Sequence, residues 1–113
     1  MKNILFALLL LVYAADCVPL LLARMDGLAV AAVHAGWRGI LAGVIPRAIA
    51  ELGAGERAAA IGPCISRARF EVGPDVAEQF RSAGLSAAVH TGGGTRPHID
   101  LRLAACLQLE QAG

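Results

Sequence analysis

The chain has 113 residues, a formal net charge of +1 and 57% hydrophobic residues, which fits one domain with an unusually apolar composition. The near-zero charge excludes the basic footprint of a nucleic-acid-binding domain. Its three cysteines are an odd number without repeated spacing, so they predict no disulfide framework and favour a reducing compartment. The apolar excess leaves a partner surface or a homo-oligomer open.

The N-terminus combines Met1-Lys2-Asn3 with twelve apolar residues at 4–15, a pattern that resembles a secretory signal peptide. The apolar run is too short to span a bilayer as a helix, so no membrane segment is predicted. Cleavage here would leave the next motif at a frayed chain end. We therefore expect 1–15 to be retained as a buried strand in a cytoplasmic protein, with secretion as the alternative.

A β-hairpin is predicted next, because apolar runs at 18–23 and 28–33 flank a turn at 24–27 that ends in Asp-Gly, a strong hairpin signal. If 24–27 forms the whole loop, Cys17 lies directly opposite His34, with Cβ atoms about 4.5–5.5 Å apart. A two-residue turn at Asp26-Gly27 would instead make the pair diagonal neighbours on the same face, with Cα atoms about 7–8 Å apart.

The pairing of Cys17 with His34 predicts a zinc site, since thiolate and imidazole are donors that zinc favours. A bulge at Pro19 would separate the two, because proline cannot donate to a ladder. Each residue alone would be read as a packed side chain. A catalytic zinc also needs about three protein ligands, so the pair does not complete a site.

The segment after the hairpin predicts a helix over 39–52 that ends at Gly53, with a later start near Val44 because Pro46 would kink a longer helix. Glycines at 36 and 39 let the chain turn from strand to helix, so that helix amides would face an anion such as phosphate. Arg38 would reinforce this pocket or form a structural ion pair, and Trp37 would pack beneath it.

The second half predicts strands over 57–62 and 70–72, a helix over 74–83 that starts with proline and is followed by glycine, and a mobile loop at 92–94. Asp100 is predicted to cap a last helix. The face of this helix would carry Leu103, Leu107 and Gln111.

Four other side chains are possible site residues by type. Cys64 follows Gly-Pro at a strand end, where it would lie near the site as a supporting group or substitute ligand, or simply pack. Cys106 is predicted to be core. His90 and His98 flank the glycine loop and are predicted to be solvent-exposed.

Three motifs occur in the order of a known family. They are Ala-Asp-Cys-x-Pro at 15–19, His-Ala-Gly-Trp-Arg-Gly at 34–39, and Ile-Gly-Pro-Cys-Ile at 61–65 followed by Phe-Glu-Val-Gly at 70–73. From about residue 15 to 113 the chain resembles the laccase-domain family, also called multicopper polyphenol oxidoreductase-like proteins. That family is now understood as zinc-dependent purine nucleoside phosphorylases with adenosine deaminase side activity.

The resemblance implies an α/β sandwich with a mixed β-sheet and flanking helices, in one partial domain over 1–113. It implies purine nucleoside and phosphate as substrates, and it places Cys17 and His34 on two of three metal ligands. The third ligand of the family is a His in an upstream segment that this sequence does not contain. The chain is therefore expected to be the middle of such a protein, with impaired activity on its own.

Three functions remain to be compared. The first is zinc-dependent phosphorolysis at Cys17 and His34 with Arg38 on the phosphate, while copper is the weaker metal because two ligands cannot build a multicopper cluster. The second is a metal-free cysteine hydrolase with Cys17 as nucleophile and His34 as general base. The third is a non-catalytic remnant or interaction module, which the apolar excess favours.

Overall fold

The computed structural model describes residues 17–92 and 96–112. The elements follow in the order β1 (Val18–Arg24), β2 (Val30–Ala35), α1 (Trp37–Ala42), α2 (Val44–Leu52), β3 (Arg57–Ile61), a 3-10 turn (Arg67–Arg69), α3 (Pro74–Ser82), a 3-10 turn (Ser86–Ala88), β4 (Val89–His90), β5 (His98–Ile99) and α4 (Leu101–Gln111). The predicted α/β class is confirmed. The strand predicted over 1–15 lies outside the described residues.

Strand pairing produces a three-stranded sheet in the order β2-β1-β3 and a separate β4-β5 pair, and every pairing is antiparallel among the strands of 17–92 and 96–112. The strand predicted over 70–72 is wrong, since Glu71 makes only an isolated bridge to His98. Pro74 already begins α3, so the chain turns into a helix before a ladder can extend.

One face of the three-stranded sheet carries the core. Val18, Leu20 and Leu22 of β1 are buried, whereas Leu21 between them is 47% exposed. This alternation is the period of two that a half-covered strand requires. The buried face packs against α1, α2 and α4, so the helices lie on one side of the sheet.

The opposite face of the sheet, here called the open face, follows from the alternation and the strand registers. Its members are Pro19, Leu21 and Ala23 of β1, Val30, Ala32 and His34 of β2, and Ala58 and Ala60 of β3. The face is apolar apart from His34. The candidate metal ligand His34 therefore lies on the face opposite the core.

The helix predicted over 39–52 is two helices, α1 and α2, and the prediction of one continuous helix is wrong. The break occurs at Gly43, whose φ of +86° is the left-handed conformation that glycine adopts without strain. Pro46 lies in the first turn of α2, where its missing N–H costs no intrahelical bond. The alternative start near Val44 is correct for α2.

The two later helices begin as their terminal residues predict. Pro74 opens α3, and the Asp100 carboxylate accepts a hydrogen bond from the Leu103 N–H at 3.0 Å at the start of α4. The predicted buried face of α4 is only partly right. Gln111 is exposed, and the buried positions of α4 are Leu101, Ala104 and Ala105.

None of the helices within the described ranges is both long and apolar enough to cross a membrane.

Candidate metal centre

The hairpin turn decides where the candidate ligands lie. The Arg24 N–H donates to the Ala29 carbonyl at 2.9 Å, and the Asp26 carboxylate accepts from the Leu28 N–H at 2.9 Å and pairs with the Arg24 guanidinium. The hydrogen bond from the Leu28 N–H lowers the pKa of Asp26 most, and the pairing with Arg24 lowers it further. Gly27 takes the positive φ of +75° that the turn needs.

The register of β1 on β2 places His34 opposite Pro19 and Ala35 opposite Val18. This is the second of the two predicted registers, in which His34 is the diagonal neighbour of Cys17. Diagonal neighbours have Cα atoms about 7–8 Å apart and share a face. The two residues therefore lie on one face of the hairpin, in neighbouring rows of the ladder.

Gly36 makes room for the Cys17 thiol. A Cβ built on Gly36 would lie 2.9 Å from the Cys17 Sγ, closer than carbon and sulfur normally approach. The φ of −81° and ψ of 176° at Gly36 suit any residue, so space alone requires glycine here. The thiol, which is half-buried, therefore lies against the start of α1.

His34 is exposed on the open face. It also contributes to a cavity of about 420 Å³ that runs between β2 and α2. The imidazole is thus accessible to solvent from the sheet side.

The number of possible metal ligands limits which metal site the described residues can form. Within 17–92 and 96–112, no group of three or more His, Cys, Asp or Glu side chains is placed to bind one metal ion. Cys17 and His34 are two possible donors on one face, fewer than the three protein ligands that a catalytic zinc needs.

Arg38 is the second residue of α1. Its guanidinium carbon lies 4.8 Å from the centre of the Trp37 ring. It forms no ion pair with any residue of the described ranges, so the structural alternative predicted for it is not seen there. Trp37 packs against the core, as predicted. Because α1 has only six residues, few peptide dipoles add up at the predicted anion site at its first amides.

Cys64 lines a different cavity, of about 550 Å³, between the end of β3 and the start of α4. Burial raises the pKa of the Cys64 thiol, and the Asp100 carboxylate raises it further, while Arg102 opposes the shift. The Cys17 thiol contributes a smaller increase.

Asp100 and Arg102 were not predicted to take part in any site. The sequence predicts Asp100 only as a helix cap, and no motif in the sequence includes Arg102. They meet Cys64 because α4 folds back against the loop after β3, which spacing along the chain does not reveal.

The remaining candidates lie elsewhere in the fold. His90 and His98 pair across β4 and β5, where His90 is exposed as predicted and His98 is half-buried. Cys106 is half-buried on α4, so the prediction that it is a core residue holds only in part. Of the glycine loop at 92–94, only Gly92 lies within the described residues.

A family model described as multi-copper polyphenol oxidoreductase laccase matches residues 6–113. A purine nucleoside phosphorylase of Deinococcus radiodurans is 46% identical over 93% of this chain and 43% of its own length. One from Streptomyces coelicolor is 40% identical over 94% of this chain and 46% of its own length. The chain thus spans less than half the length of these relatives.

Solved structures give the same comparison in three dimensions. Protein NMB0706 of Neisseria meningitidis aligns with a TM-score of 0.82 and 39% identity, over 88% of this chain and 43% of that one. YlmD of Geobacillus stearothermophilus aligns with a TM-score of 0.76 and 26% identity, over 88% and 40% respectively.

Proposed function

The chain belongs to the multi-copper polyphenol oxidoreductase laccase family, and from that membership we propose that it forms the ligand-bearing part of a zinc-dependent purine nucleoside phosphorylase. Its relatives' names support the phosphorylase class. The observation that carries the proposal is the shared face of Cys17 and His34, with Gly36 leaving space for the thiol. The proposed substrates are a purine nucleoside and phosphate, and the proposed location is the cytoplasm.

In the proposed reaction a phosphate oxygen forms a bond to C1′ of the nucleoside while the bond from C1′ to the purine nitrogen breaks. The electron pair of that bond goes to the purine, which takes up a proton and leaves, and ribose 1-phosphate is the other product. A bound zinc would supply Lewis-acid polarisation of an oxygen ligand. Cys17 and His34 would hold it, and Arg38 would contact phosphate through its planar guanidinium.

Two further parts of the proposal rest on the resemblance. A third protein ligand, a histidine from an upstream segment of a longer protein, would complete the zinc site. Adenosine deaminase would be a side activity, in which water adds at C6 of adenine and ammonia leaves. Copper is the less suited metal, because Cys17 and His34 offer two donors and a multicopper cluster needs many more.

The first prediction is that zinc binding depends on Cys17 and His34 together. Protein purified in zinc-containing buffer and then desalted is analysed for metal, beside Cys17→Ala and His34→Ala. Either variant should lose at least about tenfold in zinc affinity, because loss of a group that only supports a metal ligand already costs about 10–100-fold. Cys106→Ala is the matched control, since it removes a thiol from α4 and should keep the parent zinc content.

Zinc content that is the same in Cys17→Ala, His34→Ala and the parent would show that the site is wrong. Rapid alkylation of Cys17 at neutral pH in the presence of zinc, with hydrolysis that needs no phosphate, would favour the cysteine hydrolase instead.

A further inference from the structure

The cavity of about 550 Å³ between β3 and α4 is lined by both polar and apolar side chains. Asp100, Arg102, Ser66 and Cys64 supply polar groups, and the apolar groups come from Ile61, Pro63 and Ile65. A volume of this size is typical of pockets for small organic ligands, about 300–1,000 Å³. The lining suits a ligand with a hydroxylated edge and an apolar face.

Asp100 is held in place from two sides. Its backbone N–H donates to the Ala88 carbonyl at 2.9 Å, and its Oδ1 accepts from the Leu103 N–H at 3.0 Å. A carboxylate accepts hydrogen bonds and donates none. Its second oxygen, Oδ2, makes no hydrogen bond with any side chain or amide of the described ranges, so it is free to accept a hydrogen bond from a donor in the cavity.

The charges of this lining argue against phosphate as its ligand. The Asp100 carboxylate would repel an anion at close range, and phosphate has few protons to donate. A sugar hydroxyl satisfies the carboxylate without that penalty. Carboxylates bind the hydroxyls of ribose in the same way in dinucleotide-binding folds.

The cavity also adjoins the candidate metal centre. The Gly62 N–H donates to the Pro19 carbonyl at 2.8 Å, and a Cβ on Gly62 would lie 2.7 Å from the Pro19 side chain. This contact joins the cavity wall to the strand residue two positions after Cys17. A ligand in the cavity is thus near the start of β1, where Pro19 pairs with His34 and follows Cys17 by two residues.

We propose that the cavity binds the ribose of the nucleoside, with Asp100 Oδ2 accepting a hydrogen bond from a vicinal hydroxyl and Arg102 donating to a ribose oxygen. Ile61 and Ile65 cover the apolar face of the sugar. The inference rests on the proposed phosphorylase function for the identity of the ligand, and it adds the residues that select a ribonucleoside.

The test is equilibrium binding of inosine, 2′,3′-dideoxyinosine and hypoxanthine to the 113-residue chain by calorimetry. Asp100→Asn removes the charge but keeps a good helix cap. It should weaken inosine binding by about tenfold, the lower end of the range for a hydrogen bond to a charged group, and leave hypoxanthine and dideoxyinosine unchanged. Asp75→Asn is the matched control, because Asp75 is a carboxylate at the start of α3, as Asp100 is at the start of α4, but lies outside the cavity.

Arg102→Gln should weaken inosine binding in the same direction. Equal affinity for inosine and dideoxyinosine, an unchanged inosine affinity in Asp100→Asn, or no inosine binding at all would overturn the ribose site. Phosphate binding that is lost in Arg102→Gln and tightened in Asp100→Asn would also overturn it, since the cavity would then be an anion site.

The outcome is separable from that of the proposed function. If inosine binding depends on Asp100 but a longer chain shows no phosphorolysis, the ribose site is supported and the phosphorylase function is wrong. If a longer chain carries out phosphorolysis and Asp100→Asn leaves its KM for inosine unchanged, the phosphorylase function is supported and the ribose site is wrong.

Discussion

At the scale of single residues, the candidate metal centre depends on Gly36, because a residue with a Cβ at this position would collide with the Cys17 thiol. Cys17 and Gly36 face each other at the end of the β1/β2 ladder, and the absence of a Cβ on Gly36 gives the Sγ its position. The conformation of Gly36 is open to any residue. The glycine of the His-Ala-Gly-Trp-Arg-Gly motif is therefore explained by the thiol beside it.

Gly36→Ala should displace the Cys17 thiol, because the added Cβ would lie 2.9 Å from Sγ. We expect zinc affinity to fall by at least about tenfold, the scale on which loss of a group that orients a metal ligand weakens metal binding, with an overpacking penalty of about 1–3 kcal/mol in stability. Competition with a chromophoric chelator measures the affinity, and thermal unfolding checks the fold.

Gly39→Ala is the control for helix propensity, since its Cβ would make only an ordinary contact at 3.4 Å with Val44. Parent-like zinc affinity in Gly36→Ala would show that the thiol position does not matter for metal binding.

At the scale of elements, β1 divides the molecule into a core side and an open side. Leu20 and Leu21 are the same residue type at adjacent positions of one strand, yet Leu20 is 0% exposed and Leu21 is 47% exposed. Leu20 packs in the core shared with α1, α2 and α4. Substitutions at Leu20 and Leu21 therefore test the burial of the two faces of the sheet separately.

Leu20→Ala should destabilise the chain by about 2–5 kcal/mol, the range for large-to-small changes in a packed core. Leu21→Ala should cost less than about 1 kcal/mol, because exposed positions lose little burial. Urea unfolding followed by circular dichroism gives both values. Similar costs for the two would mean that the open face is covered in solution or that the strand register is shifted.

At the scale of the whole molecule, distant segments are tied together by a few polar contacts across the core. The Gln108 side-chain amide donates to the Ile40 carbonyl at 3.0 Å and joins α4 to α1. The Arg24 guanidinium reaches the Leu52 carbonyl at 3.5 Å and joins the hairpin to the end of α2. These contacts organise one compact layer of helices under the sheet, while the described ranges supply only two ligands to the candidate centre.

The chain by itself should therefore carry out phosphorolysis slowly or not at all. Two ligands position a metal loosely, and about 1 Å of misplacement can cost a hundredfold in rate. The measurement is phosphate-dependent release of hypoxanthine from inosine by the 113-residue chain with added zinc, beside a version extended upstream by a His-bearing segment. Only the extended version should be active.

Equal rates for the two versions would show that the site is completed within the 113 residues or by a second copy. No turnover by either version, with zinc retained, would favour a non-catalytic module.

The sequence alone determined the local features whose physical cause is short-range. Asp-Gly predicts the hairpin turn, Pro74 and Asp100 mark helix starts, and the even-length loop keeps Cys17 and His34 on one face. Each depends on backbone conformations or hydrogen bonds within a few residues. The resemblance carried by the motifs supplied the family, which the comparisons confirm.

Only the tertiary structure decided which of the two hairpin registers forms, because the apolar pattern allows both loops equally and the turn is also held from outside the hairpin, where the Met25 N–H donates to the Glu56 carbonyl at 2.8 Å. It also decided that Gly43 and not Pro46 breaks the helix, since a left-handed glycine there lets both halves bury their isoleucines. Local sequence patterns do not predict that one cavity is lined by Cys64, Asp100 and Arg102. Long-range burial folds α4 onto the loop after β3, and contacts between distant segments are set by packing of the whole core.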